Sequence, residues 1–216
     1  MGLFQYKEAG RKGKLGIWHI TETIDELQKM RSFSKEELEM LDSFSYEHRK
    51  KEWMCERILS ERLTGIENLQ ITYDENNKPF IKDSKLHISL SHSHDMLAVI
   101  IDKQNTGIDI ERIRPNVMKI KEKFMSDAEL GSLKNENIEE QLTLYWCVKE
   151  SLYKLYGKKK LAFKENLLVE PFDYFKDRTI RSQISIDSIR INCELHYSKI
   201  SANNNNYMHA FIVNQD

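Results

Sequence analysis

Five residues, Gly107-Ile108-Asp109-Ile110-Glu111, constrain this chain more than any other segment. Apolar and acidic side chains alternate there, which is the period of a half-buried strand, so Ile108 and Ile110 point into a core while Asp109 and Glu111 share the opposite face. Residues two apart on a strand are about 7 Å apart, and two carboxylates at that spacing repel unless something positive lies near them. A hard divalent cation with oxygen ligands is the usual solution. Taken alone, an acid pair on a strand is more often the polar face of a sheet.

A third carboxylate lies in Trp146-Cys147-Val148-Lys149-Glu150-Ser151-Leu152-Tyr153-Lys154. The spacing predicts a helix over 139–156, because Leu142, Tyr145, Trp146, Leu152, Leu155 and Tyr156 recur at helical intervals. Glu150 and Lys154 are four apart and stack on one face. An isolated pair of this kind is ordinarily an exposed helix pair worth a few tenths of a kcal/mol.

The order of landmarks changes that weighting. Lys78-Pro79-Phe80 is followed by Ser89-Leu90-Ser91-His92-Ser93, then the Asp109 strand, then Phe124 with Asp127 and Glu129, then Trp146 to Lys154. This series resembles the 4′-phosphopantetheinyl transferase superfamily, in particular its monomeric surfactin-type branch, and the resemblance runs from the Arg49 helix to Gly157. G-[IV]-D-[IV]-E followed by W-x-x-K-E-[SA]-x-x-K, with S-H-S upstream, is far more specific than any of its pieces.

The resemblance implies an α+β fold of two similar α/β halves about a pseudo-twofold axis with the active site between them. It divides the chain into an N-terminal half, 1–104, with coenzyme A-binding elements, and a C-terminal half, 105–216, with the metal strand, the catalytic helix and a terminal hairpin. The implied reaction moves the phosphopantetheine arm of coenzyme A onto a serine of an apo acyl or peptidyl carrier protein and releases adenosine 3′,5′-bisphosphate. Asp109, Glu111 and Glu150 are implied ligands of Mg²⁺, with Mn²⁺ the alternative ion. Glu150, or a water on the metal, is the implied base, and Lys154 meets phosphate and assists the leaving side. Lys78 and His92 match positions that bind coenzyme A phosphates, Arg57 matches a contact near the nucleotide, and Ser91 and Lys149 are further candidates. Asn77 stands where a glycine commonly precedes the Lys-Pro pair. The holder of the 3′-phosphate is left open among Arg49, Lys50 and Lys51.

Composition agrees with this reading. At 216 residues and 40% hydrophobic the chain can bury a sizeable core, as one large domain or two small ones. Its 33 basic residues nearly cancel its 34 acidic ones, so no global field recommends nucleic acid or a membrane surface as partner. Cys55, Cys147 and Cys193 have no metal-ligand spacing, and an odd number speaks against a secreted disulfide framework. The first twenty residues lack the apolar stretch of a signal peptide, and no run reaches the length of a membrane span. A cytoplasmic monomer is expected.

Elsewhere the chain reads as a strand at 15–20, capping boxes at Thr23/Glu26, Ser34/Glu37 and Ser126/Glu129, and a long helix at 46–63 stopped by Gly65. Arg49, Lys50, Lys51 and Arg57 read as the solvated face of that helix. Extended segments are expected at 70–73, 80–81, 86–91 and 96–102, and the C-terminus reads as an antiparallel hairpin turning at 203–206. Val117, Ile120, Phe124 and Met125 divide between core and a carrier-docking surface. Two rival readings remain: a zinc hydrolase built on the His92/His94 pair, which lacks the downstream ligands such sites need, and a non-catalytic module that binds carrier proteins.

Overall fold

The computed structural model describes residues 3–9, 13–158 and 161–215, which fold as two compact units, Met1–Gln104 and Asn105–Asp216.

In the first unit, strands β1 (Leu3–Ala9) and β2 (Gly13–His19) lead into helices α1 (Ile24–Met30), α2 (Lys35–Ser43) and α3 (Glu47–Thr64), then strands β3 (Ile71–Tyr73), β4 (Pro79–Ile81), β5 (His87–Ser93) and β6 (Met96–Asp102). The six strands form an antiparallel sheet in the order β1-β2-β6-β5-β4-β3. The expected capping boxes open α1 and α2, where Thr23 and Ser34 satisfy the orphan amides of Glu26 and Glu37. Gly65, at φ 74°, ends α3 in the left-handed turn that a side chain would disfavour. Trp53, Met54, Ile58, Leu59 and Leu63 of α3 pack with Trp18, Leu97, Val99 and Ile101 of the sheet in one core. Gly16 admits that helix: a Cβ built there would lie 2.7 Å from Leu59 Cδ1.

The second unit begins at β7 (Ile108–Arg112) and continues through a short 3₁₀ turn, Pro115–Lys119, to helices α4 (Lys121–Phe124), α5 (Asp127–Gly131), α6 (Ile138–Tyr156) and α7 (Phe163–Asn166). Strands β8 (Leu167–Val169), β9 (Thr179–Ile186), β10 (Ile189–Ala202) and β11 (Asn205–Gln215) follow. Its sheet is antiparallel in the order β7-β11-β10-β9-β8, with Leu144, Tyr145, Val148, Leu152 and Leu155 of α6 in the same core as Ile180, Ile184, Leu195 and Met208 of the strands. Phe124 and Met125 belong to that core, whereas Val117 and Ile120 are partly buried at its margin.

The expected C-terminal hairpin is present as β10 and β11, and it lies within a five-stranded sheet that β8 and β9 extend on one side and β7 on the other. β9 escaped the periodicity reading because Ser182 stands between Ile180 and Ile184 on its buried face. Strand β1 also has no clean alternation. Finally, β7 is not half-buried: Asp109 is only 3% exposed, on the face that α6 covers.

Candidate active site

Backbone contact between β7 and α6 builds the site in the second unit. Gly107 lies against the Ser151 carbonyl, and a Cβ there would overlap that oxygen and lie 3.0 Å from the Leu155 amide nitrogen. Ser151 is correspondingly small, and its hydroxyl donates to the carbonyls of Cys147 (2.7 Å) and Ala210 (2.9 Å), tying α6 to β11. The glycine and the serine of the two motifs are therefore what let strand and helix touch. Once they touch, residues two along β7 and one turn along α6 face each other.

Lys154 spans that junction. Its Nζ donates to Asp109 Oδ1 at 2.8 Å and to the Ile108 carbonyl at 3.0 Å, reaching across to β7 instead of back along its own helix to Glu150. The i,i+4 pair expected from the sequence is thus replaced by an inter-element ion pair. Glu150 is pushed up to about 7, first by burial and then by the Asp109 charge, with Glu111 adding and Lys154 opposing. Two neighbouring carboxylates that raise a third define a cluster of hard oxygen donors with excess negative charge, the chemistry a divalent cation satisfies. Among the described residues no group of three His, Cys, Asp or Glu side chains stands at metal-ligating distance. The donor types fit Mg²⁺; in this structure Asp109 is engaged by Lys154 instead.

Beside Glu111, residues Arg112, Arg114, Val117, Ile120 and Trp146 contribute to lining a cavity of about 260 Å³. Trp146 stands there edge-on to Phe124, ring centres 5.1 Å apart. Beneath, the Cys147 thiol donates to the Met208 carbonyl, and burial together with Asp109 and Glu111 pushes it up, which keeps it a thiol.

Lys149 lies elsewhere. Its ammonium is wholly buried, 2.8 Å from Glu129 Oε2 and 3.0 Å from the Phe163 carbonyl, while Glu129 also accepts from the amides of Ser126 and Val169. That ion pair joins α5, α6 and β8, and nothing in it presents a charge to solvent. The capping box at Ser126/Glu129 was legible, and the buried lysine that pairs with its glutamate had a signal that was passed over: Lys149 falls on the same helical stripe as Leu142, Tyr145, Leu152 and Tyr156.

In the first unit, Arg57 is likewise placed inside, 4% exposed, with its guanidinium 3.4 Å from the Trp53 ring centre and its nitrogens donating to the carbonyls of Trp53 and Ile71. This corrects its assignment to a solvated helix face. Lys78 follows the turn at Asp74, whose carboxylate accepts from the Lys78 amide at 2.9 Å, and burial pulls its ammonium down. Asn77 has φ 65°, the left-handed conformation that glycine and asparagine share, so the departure from glycine keeps the turn. On β5, Ser91 is buried and His92 is exposed at the strand end. The ring of His92 faces Glu52 Oε1 through Nδ1 (3.3 Å) and Arg49 Nη1 through Nε2 (3.4 Å). His94 lies past the strand in a turn with φ 53°, so the two histidines are not paired on one strand face as a zinc reading requires. Sequence reasoning missed Glu52. Its signal was the run His48, Arg49, Glu52, Glu56 at helical spacing on α3.

Comparison with known proteins supplies the class. The 4′-phosphopantetheinyl transferase superfamily matches residues 105–212, which hold the β7–α6 junction, the core around it and the C-terminal sheet, and the chain belongs to that superfamily. It is similar to the 4′-phosphopantetheinyl transferase psf-1 of Bacillus pumilus, 34% identical over 97 residues, or 43% of this chain and 42% of the relative. It is similar also to the transferase gsp of Aneurinibacillus migulanus, 35% identical over 95 residues (43% of this chain, 40% of the relative), and to AcpT of Escherichia coli O157:H7, 32% identical over 117 residues (50% and 59%). The matched segment spans about two-fifths of the length of the first two relatives.

Proposed function

We propose that this protein is a holo-carrier-protein synthase, transferring the 4′-phosphopantetheine arm of coenzyme A to a serine of an apo acyl or peptidyl carrier protein and releasing adenosine 3′,5′-bisphosphate. The observation that carries the reading is the junction at Gly107 and Ser151, which gathers Asp109, Glu111, Glu150 and Lys154 within a chain of this superfamily.

Asp109, Glu111 and Glu150 would hold Mg²⁺, which when bound neutralises the pyrophosphate of coenzyme A. Glu150 is assigned to accept the serine proton as the serine Oγ–P bond forms and the bond from phosphorus to the bisphosphate oxygen breaks. Lys154 keeps Asp109 in place and supplies the positive charge toward the departing phosphate. Lys78 and His92, in the first unit, are assigned to coenzyme A phosphates, with Ser91 beside them. Arg57 and Lys149 are assigned to the scaffold on account of their burial and their partners.

No helix among the described residues is long and apolar enough to cross a membrane, and Cys55, Cys147 and Cys193 are free thiols, which suits a reducing compartment. Incubating the protein with coenzyme A, Mg²⁺ and a panel of apo carriers, then measuring intact carrier mass, tests the proposal. A mass gain of one phosphopantetheine is expected, and none when a chelator is present from the start; unmodified carriers throughout would leave a binding module as the better reading.

A further inference from the structure

Below His92 lies a buried pair of acids whose arrangement exceeds what packing needs. The side chain of Glu52 is 7% exposed and that of Glu56 2%. Glu52 Oε1 faces both His48 Nε2 (3.1 Å) and His92 Nδ1 (3.3 Å), and Oε2 accepts from Arg49 Nη1 (3.1 Å). The same Arg49 nitrogen is 3.2 Å from Glu56 Oε1 and 3.4 Å from His92 Nε2. Two inward acids thus carry three nitrogenous side chains whose heads remain about 36–48% exposed.

A guanidinium has donors only, so the His92 Nε2 that faces Arg49 presents a lone pair and the ring proton resides on Nδ1, pointing at Glu52. We propose that Glu52 is a positioning residue: it fixes the Nδ1–H tautomer and ring plane of His92 and, through its other oxygen, the place of Arg49, so that both present to a phosphate-bearing ligand in one arrangement. The inference rests on the assignment of His92 to coenzyme A. A carboxylate suits the role because it accepts on both oxygens, and here it meets three donors. Glutamine has nearly the same shape but would turn two N–H donors toward groups that themselves donate.

Glu52→Gln therefore separates charge and acceptor capacity from volume. The expected result is a rise of about tenfold in KM for coenzyme A with a smaller fall in kcat, accompanied by loss of the single Nδ1–H signature of His92 in its side-chain ¹³C and ¹⁵N shifts. His48→Ala removes the other imidazole on Oε1 and should keep the His92 signature. The wild-type protein alone provides a reading that needs no variant: His92 found as the Nε2–H tautomer would overturn the proposal, as would an unchanged KM in a folded Glu52→Gln. If wild-type protein modifies no carrier while His92 shows the Nδ1–H form, the transfer reading fails and the positioning of the ring by Glu52 stands.

Discussion

Glu150 holds its proton up to about pH 7, against the usual 4.5, because it is buried beside Asp109 and Glu111. Its folded-state value lies above its unfolded one, so the folded protein binds more protons between pH 4.5 and 7 and stability falls as pH rises through that window. Glu150→Gln removes this dependence. In chelated protein the variant should exceed wild type by on the order of 2 kcal/mol at pH 8 and match it at pH 4; denaturant titrations at both pH values check this, and parallel stabilities would contradict it. Lys154 bears the opposite expectation. Because its ammonium pairs with Asp109 across two elements, Lys154→Ala should lower turnover by roughly a hundredfold and also cost more stability than an exposed helix pair does. Lys154→Arg keeps charge and should restore only part of the rate, since a planar guanidinium does not reproduce the geometry of the ammonium between the Ile108 carbonyl and Asp109. Full activity in Lys154→Ala, measured beside melting curves, would remove the residue from the mechanism. Arg57 belongs with the structural residues: Arg57→Ala removes one of the two guanidinium groups, with Arg49, that face buried Glu56 and empties the place over the Trp53 ring, and should destabilise by about 3 kcal/mol, read by denaturation, whatever it does to nucleotide affinity.

Between elements, the closest requirement is at Gly107. An added methyl must force β7 away from backbone atoms of α6, which do not yield as a side chain would, so Gly107→Ala should cost upwards of about 3 kcal/mol or prevent folding. At Gly16 the obstacle is the flexible end of Leu59, and Gly16→Ala should cost about 1–3 kcal/mol. Equal melting points for the two variants would refute this account of the junction. The long helices, the capping boxes and strand β6 were legible because their signals are local: period, cap residue, left-handed stop. Asp109 shows the limit. Alternation identified its strand and its face, yet that face is covered, and which face a helix covers depends on a contact formed more than forty residues along the chain. Lys149 and Arg57 turn inward because each charge has a receiver: Glu129, twenty residues away, for the first, and the Trp53 ring, one turn back on the same helix, for the second.

The chain contains two antiparallel sheets, one in each unit and each with one long helix in its core, and carries almost no net charge. For the proposed reaction, docking of a carrier would depend on local patches, because 33 basic residues against 34 acidic ones leave no bulk field to steer it. The motifs alone defined the superfamily, since a strand and a helix that must touch at Gly107 and Ser151 leave few residues free to vary. The central claim is that the acids gathered at that contact perform the transfer. Asp109→Asn conserves shape while removing charge, so intact mass of an apo carrier after timed incubation with coenzyme A, Mg²⁺ and either protein is the direct measurement. Wild type should add one phosphopantetheine per carrier while the folded variant adds it at least about a hundredfold more slowly; near-normal transfer by Asp109→Asn would contradict the account.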